Sequence, residues 1–304
     1  MQANNGQLLS SLQLSDTTAP STALSKDPFL VRSLAFSSNS RFLAASLNDV
    51  VQLWDLKKRQ LKTVFQVSSS GSKHPGDVVN AICFLPSGDL ICGDQSGIVR
   101  IWESNSGNCA DMLMPDTRSN GYQSTSVNCM QLSPANPSHL SAGFSDGSLS
   151  CWDLGRADRT CRRLEHLHSS QRAELDSPDR GISAVAYSPK NYKLIATAGS
   201  DGKICLIDTF NMPLSSSNGT TGNNSKSITA SITVGEAVRA LAFSEDAVHT
   251  AVGTSSGKIL IYDWRNSRSP VCSVDAHGPS AVNALAFQVS VVSVLFSKWI
   301  RMFN

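Results

Sequence analysis

Short apolar runs alternate with turn residues along this chain, and one arrangement of apolar and small positions returns six times. An aliphatic residue is followed two positions on by a small one, then by an aliphatic residue and, two later, usually by an aromatic one. It reads Val31-Arg-Ser-Leu34-Ala-Phe36, Val79-Asn-Ala-Ile82-Cys-Phe84 and Val127-Asn-Cys-Met130-Gln-Leu132. It returns as Ile182-Ser-Ala-Val185-Ala-Tyr187, Val238-Arg-Ala-Leu241-Ala-Phe243 and Val282-Asn-Ala-Leu285-Ala-Phe287. In an extended strand, residues two apart share a face. One face then carries Val and small residues and the other Leu and Phe, which predicts a strand covered on both sides. The small residue at Ser33, Ala81, Cys129, Ala184, Ala240 and Ala284 predicts tight packing there.

A second pattern follows the first five occurrences. A turn residue precedes, by five positions, an aromatic or aliphatic residue that is followed by an acid. The pairs are Asp49 to Trp54-Asp55, Gly97 to Trp102-Glu103, Gly147 to Trp152-Asp153, Gly202 to Ile207-Asp208 and Gly257 to Tyr262-Asp263. Glycine supplies the positive φ that a tight hairpin needs. Before each turn lies a short apolar strand, such as Phe42-Leu-Ala-Ala or Leu194-Ile-Ala-Thr; after it comes an alternating one, such as Val99-Arg-Ile101-Trp102. A looser fourth strand is expected at Leu61 to Phe65, Arg163 to Leu167 and Val271 to Val274. The unit is a four-stranded meander beginning near residues 31, 79, 127, 182 and 238, with a partial one at 282.

Trp54-Asp55, Trp102-Glu103 and Trp152-Asp153, with the openings His74-x4-Val79 and His277-x4-Val282, resemble the WD-repeat family of β-propellers. The resemblance implies an all-β propeller over 29–288, between a polar segment 1–28 and a divergent apolar tail 289–304. It implies five four-stranded blades and a partial sixth. The family pins blades with a buried His, Ser/Thr, Asp and Trp network, which is incomplete here. His74 and Trp102 occur with Ser96 where Asp is expected, Asp146 occurs with Trp152, and Asp201 lacks a Trp. Apolar packing between sheets should therefore carry most of the stability.

Two segments are similar to one subgroup of that family: Asn48-Asp-Val-Val-Gln-Leu-Trp-Asp-Leu-Lys57, and Tyr262 to Val271 followed by Asp275-Ala-His277. The subgroup targets γ-tubulin ring complexes to centrosome and spindle. It implies a non-catalytic scaffold in the cytoplasm and cytoskeleton. Its partners would be other proteins, γ-tubulin complex components or tubulin among them. Tyr262-Asp-Trp-Arg265 also resembles the ending found in substrate receptors of cullin-RING ubiquitin ligases, where Arg265 would be the adaptor contact.

Length sharpens this. The repeats average about 50 residues, and seven of them need roughly 350, so the 304 residues are read as part of a ring lacking its first blades and natural end. The tail is expected to be a gene-model or splice artefact, or to add strands at Val291 to Phe296 and Trp299 to Phe303. The insertion Asn211 to Ser227 is of low complexity and expected to be disordered, and Leu167 to Arg180 is an expected exposed loop.

Composition and charge limit the chemistry. Hydrophobic residues are 40% and charged residues 16%, as in a folded domain. A net charge of +2 gives no argument for nucleic acid or for membrane surfaces. The eight cysteines form no CxxC pair, several sit in apolar runs, and the first residues carry no signal-peptide pattern, which predicts free thiols in a cytosolic or nuclear protein. No apolar stretch reaches the ~18 residues of a membrane span. Gly143-Phe-Ser145-Asp-Gly147 matches the Gly-x-Ser-x-Gly nucleophile pattern, but a strand follows where that elbow needs a helix. His166-x-His168 has metal-ligand spacing without a third ligand placed by sequence. No catalytic residue, metal, cofactor or small-molecule substrate is expected. Two basic clusters remain: Lys57-Lys58-Arg59 with Lys62, and Arg156, Arg159, Arg162 and Arg163. Charge on an outer edge strand deters aggregation; the sharper reading makes Arg162 and Arg163 contacts for an acidic partner.

Overall fold

The structure, a computed structural model, describes residues 31–67, 78–114, 125–168, 181–214, 226–287 and 300–301. Five antiparallel four-stranded meanders follow one another in chain order. Blade one is β1 (Val31–Phe36), β2 (Phe42–Leu47), β3 (Val50–Asp55) and β4 (Gln60–Gln66). Blade two is β5 (Val79–Phe84), β6 (Leu90–Asp94), β7 (Val99–Trp102) and β8 (Cys109–Leu113). Blade three is β9 (Val127–Leu132), β10 (His139–Phe144), β11 (Leu149–Asp153) and β12 (Cys161–Leu164). Blade four is β13 (Ile182–Tyr187), β14 (Leu194–Gly199), β15 (Lys203–Asp208) and β16 (Ile228–Thr233). Blade five is β17 (Val238–Phe243), β18 (His249–Thr254), β19 (Lys258–Asp263) and β20 (Cys272–Asp275). This is the all-β propeller that the repeat predicts. The first strands β1, β5, β9, β13 and β17 contact one another in sequence and so form the inner wall.

Apolar packing holds the seams. Val51, Leu53 and Phe65 of blade one meet Val79, Ile82 and Trp102 of blade two. Ile91, Val99 and Leu113 meet Val127, Leu140 and Trp152 across the next seam. Leu149 and Leu164 then meet Ile182, Ile195 and Ile207, and Ile204 and Ile232 meet Val238, Val252 and Tyr262. Full burial of one such side chain is worth about 1.5–3 kcal/mol, so each seam is a small core of its own. At three of the repeats the opening aliphatic residue fits a hole in the preceding blade. A Cβ on Gly93 would stand 2.6 Å from Val127 Cγ1, and one on Gly253 would stand 2.8 Å from Val282 Cγ1. Gly143 makes the same close approach to Ile182.

A second device links the inner wall. Asn80 Nδ2 donates to the Val127 carbonyl at 3.0 Å, and Asn128 Nδ2 donates to the Ile182 carbonyl at 3.1 Å. The Ser183 hydroxyl donates to the Val238 carbonyl in the same place. The residue after the opening aliphatic one thus stitches blade two to three, three to four and four to five.

Several expectations need correction. In blade one the positive φ of the hairpin falls on Asn48 (φ 53), not on Asp49. Both faces of β1 were expected to be covered, yet Leu34 is 60% exposed and Phe36 65%. The fourth strand expected from Arg163 to Leu167 lies earlier, at Cys161–Leu164, because Trp152 pairs with Cys161. Most of the sixth repeat is not a strand: β21 holds Ala286–Phe287 alone, paired with β22 (Ile300–Arg301). β22 falls within the expected tail strand Trp299 to Phe303. The other expected tail strand, His74, and most of both long insertions lie outside the described residues.

Candidate functional site

The repeat residues divide into two tasks. Trp54, Trp102, Trp152 and Tyr262 are buried. The acid that follows closes the turn into the outer strand. Asp55 Oδ1 accepts the backbone N–H of Lys57 and of Lys58 at 3.0 Å. Asp153 accepts from Gly155 N–H at 3.0 Å, Asp208 from Phe210 N–H at 2.9 Å, and Asp263 from Arg265 N–H at 2.9 Å. A carboxylate that accepts N–H bonds is easier to ionise. The Lys58 N–H, with Arg41 behind it, accordingly holds Asp55 below the ordinary carboxylate value. Arg265 grips Asp263 and lowers its carboxyl to about 2.

Three of the four members of the family network meet at one blade, in a form that spacing hid. His168, buried, places Nδ1 3.0 Å from Asp201 Oδ1 and Nε2 2.9 Å from Thr197 Oγ1. Burial raises the Asp201 carboxyl; the His168 contact and the N–H and charge of Lys203 together outweigh this and leave it below the ordinary value. In the sequence His166 and His168 have the spacing of a metal pair, though no metal is expected. They lie in a bend after β12, and no cluster of three ligands occurs among the described residues. His277 occupies the matching place at the fifth blade's exit, its N–H bonded to the Gly257 carbonyl as His168 N–H is to that of Gly147.

The other blades replace the network with different polar partners. In blade two, Asp94 rather than Ser96 is the buried acid, and it takes Arg100 and the Ser96 hydroxyl. Trp102 Nε1 has no acceptor among the described residues. In blade three, Asp146 accepts from Arg163 Nη2 at 3.0 Å, and Arg163 Nη1 reaches Ser150 Oγ at 3.0 Å. In blade five, Trp264 rather than Tyr262 donates an indole N–H, to Thr250 Oγ1 at 2.7 Å.

The expected partner-binding arginines separate. Arg163 is buried with its guanidinium over the Phe144 ring, so it serves the fold and is withdrawn as a surface contact. Arg162 donates from Nη1 to the carbonyls of Phe210 and Met212, tying blade three to blade four. Arg159 pairs with Asp111 at 3.0 Å beside a cleft of about 430 Å³ between blades two and three. Arg265 remains on the surface, its side chain 71% exposed. Ser145 sits in the turn between β10 and β11, where its Oγ accepts the Ser126 N–H; strand follows, as its sequence context predicts.

Sequence reading missed the network role of His168, and missed Asp94, Arg100 and an aromatic series on the rim, His139, Tyr192 and Phe210. His74 and His277 each precede the opening aliphatic residue of the next repeat, Val79 or Val282, by five residues. His168 precedes Ile182 by fourteen because a polar insertion intervenes. A fixed offset therefore passes over it.

Comparison with known proteins agrees with this architecture. The WD domain, G-beta repeat, matches residues 22–55, 65–103 and 117–153. The N-terminal β-propeller domain of nucleolar protein 10-like proteins matches residues 163–304. Protein NEDD1 of Homo sapiens is 26% identical over 261 residues, covering 84% of this chain and 33% of the relative. The Bos taurus protein of that name is 27% identical over 260 residues, covering 85% and 34%. Target of rapamycin complex subunit LST8 of Bos taurus is 25% identical over 190 residues, covering 60% of this chain and 51% of the relative. The chain spans about a third of the length of the NEDD1 proteins it matches.

Proposed function

Because this chain is a WD-repeat β-propeller protein distantly similar to NEDD1, we propose that it is a non-catalytic scaffold that helps place γ-tubulin complexes at centrosome and spindle. The observation that carries this reading is coverage. The similarity extends over 84% of the chain, well past a single repeat. Stacked sheets with exposed connections on two faces suit protein binding. No helix among the described residues is long and apolar enough to cross a membrane. The test is a pull-down of the full chain from mitotic cells with mass spectrometry. Enrichment of γ-tubulin complex subunits supports the proposal, and their absence while other proteins are captured overturns it.

A second reading rests on Arg265. Its guanidinium is exposed and oriented by three contacts to the Asp263 carboxylate at 2.7–3.2 Å. Such a presentation suits an adaptor of a cullin-RING ligase. Co-purification of that adaptor, lost in Arg265→Ala, would favour a substrate-receptor role.

A further inference from the structure

We propose that the rim where blades three and four meet is a docking site for an acidic peptide segment of a partner protein, anchored by an aromatic residue. The proposal stands whether or not that partner belongs to a γ-tubulin complex. Three rings form a continuous series there. His139 of blade three stacks on Tyr192 of blade four, with centroids 5.1 Å apart and planes 14° apart. Tyr192 meets Phe210 edge-on at 5.9 Å. Phe210 is 47% exposed, and Leu214 beyond it 42%.

The apolar surface is held ready. Arg162 Nη1 donates to the Phe210 carbonyl at 3.2 Å and to the Met212 carbonyl at 2.6 Å. Arg163 N–H donates to the Pro213 carbonyl at 3.1 Å. Residues 210–213 are thus strapped to the outer strand of blade three. Rigid aromatic anchors lose little entropy on binding and dominate interface energies.

The charge around the series is cationic. Lys193 Nζ stands 4.5 Å from the Phe210 centroid. Lys190 lies two residues before Tyr192 in the same connection, and Arg162 borders the far side. The neighbouring carboxylates Asp208 and Asp153 are already engaged in turn hydrogen bonds. Asp208 accepts from Phe210 N–H and the Asn211 amide, and Asp153 from Gly155 N–H. Aromatic rings with cations also stack nucleic-acid bases. A net charge of +2 and three cations at the rim give no argument for the many phosphate contacts such binding needs.

The test is fluorescence anisotropy of the full chain with labelled Glu-Glu-Phe-Glu-Glu, with Glu-Glu-Ala-Glu-Glu and oligouridine as comparison probes. The phenylalanine peptide should bind, weaken as salt rises, and bind about tenfold more weakly to Phe210→Ser and to Lys193→Glu. Melting temperatures are measured for both variants. Where Phe210→Ser disturbs the fold, Lys193→Glu, a surface change, decides. Equal binding of both peptides, no response to Lys193→Glu, or tighter binding of oligouridine overturns the proposal.

Discussion

His168 of blade three's exit and Asp201 of blade four's hairpin meet at 3.0 Å through Nδ1 and Oδ1. Gly199 makes the meeting possible, since a Cβ there would stand 2.7 Å from His168 Nδ1. Removing the imidazole leaves Thr197 and Asp201 short of a buried partner, a loss of about 1–3 kcal/mol. His168→Ala should therefore lower the melting temperature, and Gly199→Ala should do so without altering any polar group. A Gly199→Ala protein that melts with the parent would show that the histidine is not held there.

The same contact sets an acid limit. The folded Asp201 carboxyl titrates below its ordinary value of 3.8. Its stabilising contribution is complete above that value and is lost as pH falls beneath it. His168→Ala should flatten this part of the acid-unfolding curve. Asp263 offers a direct spectroscopic check, because its carboxyl lies at about 2 and Arg265 is the main cause. In Arg265→Ala, carbon-detected NMR titration should move it back toward 3.8.

Arg163 should behave as a core residue. Its partner Asp146 is partly exposed, with a side-chain exposure of 26%, so losing the guanidinium should cost less than a fully buried pair, about 2 kcal/mol. Denaturant unfolding of Arg163→Met should show that loss, while Arg162→Met, on the rim, should lose less. A double Arg162→Glu, Arg163→Glu variant that fails to bind a partner would then be reporting on its own fold.

Thiol reactivity should split the cysteines. Burial pushes the Cys83 and Cys129 thiols up to about 12 and Cys205 up to about 11. Cys109 and Cys272 are exposed. Brief iodoacetamide treatment followed by peptide mass spectrometry should label Cys109 and Cys272 first, and reach Cys83, Cys129 and Cys205 after denaturation. Fast labelling of Cys129 would contradict the close fit of blade three against Ile182.

The blades were legible in sequence because strand periodicity and a turn residue recur together. All five full first strands begin where the pattern places them, and four of the hairpins carry their positive φ on the expected glycine. The sixth repeat carries the same letters, yet Val282 to Leu285 form no strand. Pairing requires a neighbouring strand, and no local pattern reports one. The polar networks were less legible for a related reason. Arg163 looks like surface charge until Asp146 and Ser150 are brought beside it, and three blades solve the same problem with different residues. The rim aromatics come from two blades, and nothing in either repeat marks them as neighbours.

The stitches along the inner wall have a direction. In each, the donor side chain belongs to the earlier blade and the carbonyl to the later one, from Asn80 to Val127, Asn128 to Ile182 and Ser183 to Val238. The packing hole at Gly93, Gly143 or Gly253 likewise waits for a residue made later. During synthesis blades two and three therefore leave the ribosome with an open socket, which the first strand of the next blade fills. Slow codons or a pause placed just before Val127 or Ile182 would prolong that exposure, so the vulnerable moments of biogenesis fall between blades rather than within them.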